Sequence, residues 1–349
     1  MKKLLLAFVC LFALASLVAC GEETNTEKEY KLGMGIVVST ASTKNATADA
    51  NGTAQIDATV ATVVLEGDKI VSCRIDVAQN KVTVSSTGEV TVPAKFETKR
   101  ELGDRYGMAG KVDNDGNGVK LEWYAQTDAF EKYVVGMTGA QVAAIETQFV
   151  NNHHIAKDQA LLDAGCSMQI TDFMAAVAKA CEDAQGVTFK TSKEFTLGVA
   201  ANTSDSGSKA ATAEAAGAVQ VYSDFAAAVI VEGKIVASLN DAIQPKFAVS
   251  ATGELTPSFK ASKRELKEEY GMAGKVDNNG DGIKLEWYVQ SLAFSNFVVG
   301  MTGAEVAAME TQFVNNHNIS TNEDLLKAGC TIEITGIKAV VAEAAANAR

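Results

Sequence analysis

Two matching segments place a hydroxyl where a phosphate could be joined to the chain. Ala164-Gly165-Cys166-Ser167-Met168-Gln169-Ile170-Thr171 and Ala328-Gly329-Cys330-Thr331-Ile332-Glu333-Ile334-Thr335 each set a hydroxyl residue after small residues, ahead of a short strand and a capped helix. Gly165 and Gly329 leave room for close approach to Ser167 and Thr331, and a helix N-terminus favours an anion. The same residues also suit a tight turn, which needs only the glycine.

A second pattern is acidic. Asp113-Asn114-Asp115-Gly116-Asn117-Gly118 and Asp277-Asn278-Asn279-Gly280-Asp281-Gly282 match the first half of a calcium loop. The oxygen donors would be Asp113, Asp115 and Asn117 in one run, and Asp277, Asn279 and Asp281 in the other. Tyr124 and Tyr288 stand where the bidentate glutamate belongs, and Glu122 and Glu286 fall two residues early. A polar turn with Asn117 or Asp281 capping the next helix uses the same residues.

Aromatic residues offer a third chemistry. Trp123, Tyr124, Trp287 and Tyr288 could stack on a flat ligand, although they share core-like helical spacing with Phe130, Phe294, Val134 and Val298. Tyr106 and Tyr270, each before Gly-Met, are better placed as cavity walls. His153, His154 and His317 lie in a polar Asn-Asn-His stretch without a metal partner and read as surface residues. No nucleophile–base pair, phosphate-binding glycine loop or paired-carboxylate site recurs, so a hydrolase has nothing to stand on.

The N-terminus predicts the compartment. Lys2 and Lys3 precede the apolar run Leu4 to Val18, and Leu17-Val18-Ala19-Cys20 matches a lipobox. Residues 1–19 read as a signal peptide, Cys20 as the acylated first residue, and 20–31 as a polar tether. The expected location is extracytoplasmic, with the membrane as partner through the lipid anchor. A formal charge of −12 argues against nucleic acid and anionic membrane surfaces. Cys73, Cys166, Cys181 and Cys330 show no metal spacing and make a poor disulfide framework. Cys73 alternates with Val71 and Ile75 and reads as a core thiol.

The elements that must position these residues come in two sets. Residues 99–170 align without a gap on 263–334, and roughly two-thirds of the pairs are identical. Ala46-Thr47-Ala48 also returns as Ala211-Thr212-Ala213. A period of about 164 residues is a domain duplication rather than a solenoid, with copies over 32–187 and 188–349, each expected to fold alone. Strands are predicted at 56–64, 69–77, 81–85 and 167–171. Capping boxes are predicted at Thr98/Glu101, Thr138/Gln141, Ser262/Glu265 and Thr302/Glu305. One helix is expected over 120–135, and a last one from Thr171 to before Gly186. Strands followed by helices predict α+β: tandem small domains, each an antiparallel β-meander packed on helices.

Several motifs carry a resemblance. Glu232-Gly233-Lys234-Ile235-Val236, then a small-residue-plus-Thr motif leading into an Ala-rich final helix, resembles the FMN-binding domain family. Tyr-Gly-Met, Glu-Trp-Tyr, Phe-x-x-Tyr/Phe-Val-Val-Gly and Thr-Ile-x-Ile-Thr-x-x-x-Ala-Val resemble the lipoproteins called major membrane immunogens. The resemblance covers each copy nearly end to end. It implies FMN, held covalently or noncovalently, and electron transfer at the cell surface, with a flavin transferase and a membrane electron donor as partners. Flavinylated family members join FMN through its phosphate to a Thr, and Ser167 and Thr331 occupy that position. Cysteine replaces the family's alanine there, alanine replaces its first hydroxyl residue, Asp324 stands one residue further upstream, and Ala160 takes its place in the first copy. The rival reading is a cofactor-free surface-binding lipoprotein.

Overall fold

The computed structural model describes residues 26–349 except 185, 276 and 281. The expected signal peptide, Cys20 and Asp281 lie outside the described residues. Alternating β-branched residues form β1 (Lys28–Ser39), β2 (Gly52–Glu66), β3 (Lys69–Val84) and the short β4 (Val90–Thr91). Then follow α1 (Lys99–Leu102), α2 (Trp123–Tyr133), α3 (Gly139–Ala143), β5 (Thr147–Val150), β6 (His153–Ala156), α4 (Gln159–Asp163), α5 (Thr171–Asp183) and β7 (Val187–Thr191). The order recurs as β8 (Thr196–Asp205), β9 (Gly217–Val231), β10 (Lys234–Ile243), β11 (Lys246–Val249) and β12 (Leu255–Ser258). The second set of helices and hairpin is α6 (Lys263–Leu266), α7 (Trp287–Phe297), α8 (Gly303–Ala307), β13 (Thr311–Val314), β14 (His317–Ser320), α9 (Glu323–Lys327) and α10 (Thr335–Ala346). The chain is α+β with antiparallel meanders, as its patterning predicts.

Among the described residues ten of the strands make two five-stranded antiparallel sheets, and β5–β6 and β13–β14 form separate hairpins. In the first, the order is β4-β3-β2-β1-β7; in the second, β9 pairs with β8, β10 and β11, and β12 follows β11. The long β3 is matched by two strands, β10 and β11, because Pro245 sits between them and has no N–H for the ladder. Strand β7, just beyond the predicted domain boundary, pairs Lys28–Leu32 with Thr191–Val187 and so completes the first sheet.

The two sheets lie face to face and share one core. Leu32, Met34, Ile36 and Phe189 from the first meet Phe225, Val229, Leu239 and Phe247 from the second. On its outer face the first sheet is covered by α2 and α5 through Phe130, Phe173 and Val177. The second is covered by α7 and α10 through Phe294, Ile337 and Val341. Four layers result, helices–sheet–sheet–helices. In β1, Gly33 and Gly35 alternate with the core residues and face α5, where a Cβ would lie 2.0 Å from the Ala180 carbonyl and 2.3 Å from that of Ala176. Gly198 repeats the device under α10, with only 1.8 Å to the Ala344 carbonyl.

Polar contacts cross between the halves. Arg264 clamps Asp183 with two bonds of 3.0 Å, and Lys179 meets Glu265 at 2.5 Å. The repeated Ala-Thr-Ala segments exchange reciprocally: Ala46 N–H donates to Gly253 O at 3.0 Å, and Ala211 N–H to Gly88 O at 2.9 Å.

Three local expectations are corrected. The tether enters β1 at Lys28 rather than ending at Lys31. Residues 167–170 are irregular, not a strand: the side chains of Gln126 and Asn114 take the backbone groups of Ser167 and Met168, and only Ile170 N–H reaches a strand, at His154 O of β6. The Asn-Asn-His stretches are the turns of hairpins β5–β6 and β13–β14. Asn151 and Asn152 have φ of 49° and 65°, and Asn315 and Asn316 have 50° and 66°, the two-residue turn that matches strand twist.

Candidate functional site

Each half carries a cavity in the same place, of about 810 Å³ in the first and about 750 Å³ in the second. Their walls correspond: Lys99, Tyr106, Met108, Lys111 and Trp123 in one, and Lys263, Tyr270, Met272, Lys275 and Trp287 in the other. The N-terminal turn of the last helix, at Asp172 or at Thr335 and Gly336, closes one side.

A chain of local interactions builds each site. A buried aspartate in a core strand, Asp76 or Asp241, caps the Lys-Arg-Glu-Leu turn: Arg100 N–H reaches Asp76 at 3.2 Å and Arg264 N–H reaches Asp241 at 3.0 Å. Ser262 Oγ also donates to Asp241 at 2.6 Å, and burial pushes the Asp241 carboxyl up to about 6. Both expected capping boxes close there, Thr98 with Glu101 and Ser262 with Glu265. The turn is thereby fixed so that its lysine enters the cavity.

The lysine ammonium then sits among rings. Lys263 Nζ lies 4.4 Å from the centre of Tyr222, 4.7 Å from Tyr270 and 5.2 Å from Trp287, and donates to the Tyr222 hydroxyl oxygen at 2.9 Å. Lys99 lies 5.0 Å from Tyr106 and 5.4 Å from Trp123. Such placement attracts the cation to the ring faces. Burial pulls the Lys263 ammonium down to about 8, against the pull of Asp224 and Asp241.

The Tyr-Gly-Met-Ala loop is held by a carboxylate. Glu122 accepts from Met108 N–H at 3.0 Å and Ala109 N–H at 2.9 Å, and Glu286 does the same for Met272 and Ala273. The two glutamates that fell early for a calcium loop are therefore committed to positioning Tyr106 and Tyr270.

The predicted acceptor hydroxyls lie elsewhere. Ser167 is 1% exposed and Thr331 fully buried, and neither lines a cavity. Gln126 Oε1 takes the N–H groups of Ser167 and Met168 at 3.0 Å. Gln290 Oε1 takes both the N–H and the hydroxyl of Thr331, at 2.8 and 3.2 Å. Gly165 and Gly329 hold φ of 93° and 90°, the tight-turn geometry that favours glycine. Cys166 and Cys330 are buried with thiols pushed up to about 12, and all four described cysteines are free.

The acidic turns largely satisfy themselves. Asp113 accepts from Gly118 N–H at 3.1 Å, Asn117 from Val119 N–H at 2.7 Å, and Asp277 from Gly280 and Gly282 at 2.8 and 3.1 Å. Asn114 and Asn278 donate to the carbonyls of Ser167 and Thr331 at 2.8 Å, tying each turn to the acceptor segment. Asp113 Oδ1 and both Asp115 oxygens are buried without a hydrogen-bond partner among the described residues. Among the described residues no three His, Cys, Asp or Glu side chains gather as metal ligands. Asn279 belongs to the second turn, between Asp277 and Gly280.

Sequence reasoning found Tyr106, Tyr270, Trp123 and Trp287 but missed the lysines, the capping aspartates and the two acids of the second cavity, Asp224 and Glu333. The unchanged Lys-Arg-Glu-Leu and the charged residue inside each β-branched run were the signals. Tyr124 and Tyr288 turn away from the cavities, bonding Asp104 and Glu268 at 3.1 and 2.9 Å. His153 and His317 stand at the cavity walls, while His154 packs at a tilt against exposed Phe149. Among the described residues no helix is long and apolar enough to cross a membrane. Comparison with family models, curated proteins and solved structures finds no match to the chain.

Proposed function

We propose that this is a lipid-anchored, extracytoplasmic carrier that binds FMN noncovalently in two equivalent cavities and passes electrons at the cell surface. The observation that carries this reading is the recurrence, in both halves, of a ring-lined cavity with two lysines. Volumes of about 750 and 810 Å³ suit a cofactor. Tyr106, Met108 and Trp123, or Tyr270, Met272 and Trp287, would flank a planar ring. Lys111 and Lys275 offer charge to a phosphate. The flavin, when bound, supplies the redox chemistry, and the protein supplies binding and orientation. Burial of Ser167 and Thr331 favours the noncovalent form over a phosphoester at either hydroxyl. The Cys20 lipobox supports anchorage, with a membrane electron donor as the expected partner; a flavin transferase is not needed for noncovalent loading.

The test is the visible spectrum of protein from its native host, before and after denaturation, with titration of free FMN. Yellow native protein that releases all its flavin on denaturation is the expected result. Colourless protein that leaves FMN fluorescence unchanged overturns the reading. The rival then stands, a cofactor-free surface-binding lipoprotein. It is favoured by Phe149 and Phe313, 64% and 69% exposed on the two equivalent hairpins.

A further inference from the structure

The cavities share walls but differ in their acids. The adjacent strand positions Val37 and Thr59 of the first half are paired across β1 and β2. Their counterparts, Asn202 and Asp224, are paired across β8 and β9 and both line the second cavity. The first cavity has its acids at Asp57 and Asp172 instead. Asp57 is engaged by the amides of Gln55 and Gln79 at 2.8 Å, and Gly336 replaces Asp172 in the second half. That glycine makes the space: a Cβ on it would lie 2.1 Å from Asp224 Oδ2.

Asp224 is 7% exposed and lines the cavity, yet among the described residues no hydrogen bond or ion pair reaches its carboxylate. Lys263 is turned to the Tyr222 hydroxyl and its rings. A buried carboxylate without a donor is costly, and buried polar groups are normally satisfied. Beside it on the neighbouring strand, Asn202 presents to the same cavity an amide with no hydrogen-bond partner among the described residues. An acceptor next to a donor complements a ring N–H next to a ring carbonyl.

We propose that Asp224 and Asn202 read the imide edge of a bound isoalloxazine, Asp224 accepting from the ring N–H and Asn202 donating to the neighbouring carbonyl. The second cavity is then the tighter and more selective of the two. This rests on the flavin reading above.

Lumiflavin and its 3-methyl derivative, in which N–CH₃ replaces the imide N–H, are titrated into the full chain by fluorescence quenching. Losing a hydrogen bond to a charged acceptor weakens the tight site roughly 10-fold to 100-fold. The wild type should therefore bind lumiflavin in two classes and the methylated ring in the weak class alone. Asp224→Thr, which installs the residue of the first half, should bind both probes alike. Equal affinity of the wild type for both probes overturns the assignment while leaving the flavin reading intact. Lumiflavin binding unchanged by Asp224→Thr overturns it equally. If that variant fails to fold, the two probes on wild-type protein decide alone. Absence of any lumiflavin binding to the wild type overturns both readings.

Discussion

Asn in place of Asp224 should make the protein more stable, and only above acidic pH. Burial pushes the Asp224 carboxyl from an ordinary 3.8 up to about 7, with Lys263 pulling against it. Between those values the folded state holds a proton that the unfolded chain has already lost. Wild-type stability therefore falls as pH rises through this window, by at most about 1.4 kcal/mol per pH unit. A shift of about three units accumulates to about 4 kcal/mol at neutral pH and above. Asparagine resembles the protonated acid and does not ionise, so Asp224→Asn escapes the loss. Part of the gain is returned, because Lys263, already down to about 8, loses the carboxylate that keeps it charged. The net gap should be near zero at about pH 4 and reach about 2 to 4 kcal/mol at about pH 8. Urea denaturation followed by the fluorescence of the two tryptophans measures it. Asp241, itself pushed up to about 6, and Glu333 repel the Asp224 carboxylate, so both add to the wild-type penalty that the variant escapes. A gap that is constant with pH, or a variant less stable at the higher pH, shows that the Asp224 carboxyl is not raised by burial. A confirmed gap identifies Asp224 as a residue that costs stability above acidic pH.

Other perturbations have defined outcomes. Gly198→Ala sets a Cβ against the Ala344 backbone at 1.8 Å; α10 must move, and a loss of at least about 3 kcal/mol is expected in denaturant titration. Fragments 26–186 and 187–349 each expose half of the shared core, so neither should melt cooperatively by calorimetry, whereas the whole chain should; this reverses the expectation from the repeat alone. Calcium at millimolar levels should stabilise the protein by about 1 kcal/mol through the unpartnered Asp113 and Asp115 oxygens, and Asp115→Ala should abolish the thermal shift. Thr331→Ala and Ser167→Ala should leave flavin content unchanged, read from absorbance of the purified protein.

The alternating β-branched runs, the Gly-turn punctuation and the capping boxes were legible without coordinates because they are local. Strand period, φ preference and side-chain-to-backbone caps act within a few residues. The duplication was legible for the same reason, as were the glycines of the Ala-Gly-Cys turns and the core placement of Trp123 and Trp287. The hairpins at Asn151 and Asn315 were missed because their strands are four residues long and polar, so no apolar period marks them.

What the tertiary structure alone decided is which faces meet. Nothing local tells Leu32 and Phe225 that they belong to one core, since both strand faces are apolar and each could have packed on helices. Close approach of α5 and α10 to glycines in β1 and β8 takes the other face of each sheet, and the remaining faces are left to each other. The cavity is equally nonlocal: Asp224, Lys263, Tyr270 and Gly336 lie far apart in sequence and are gathered by sheet register, a capped turn, a clamped loop and a helix start. Ser167 and Thr331 stood out by residue type and neighbours, but a hydroxyl's reach depends on which side of the turn faces the core; Gln126 fixes the Ser167 backbone with its side chain buried, and Gln290 takes the Thr331 hydroxyl itself.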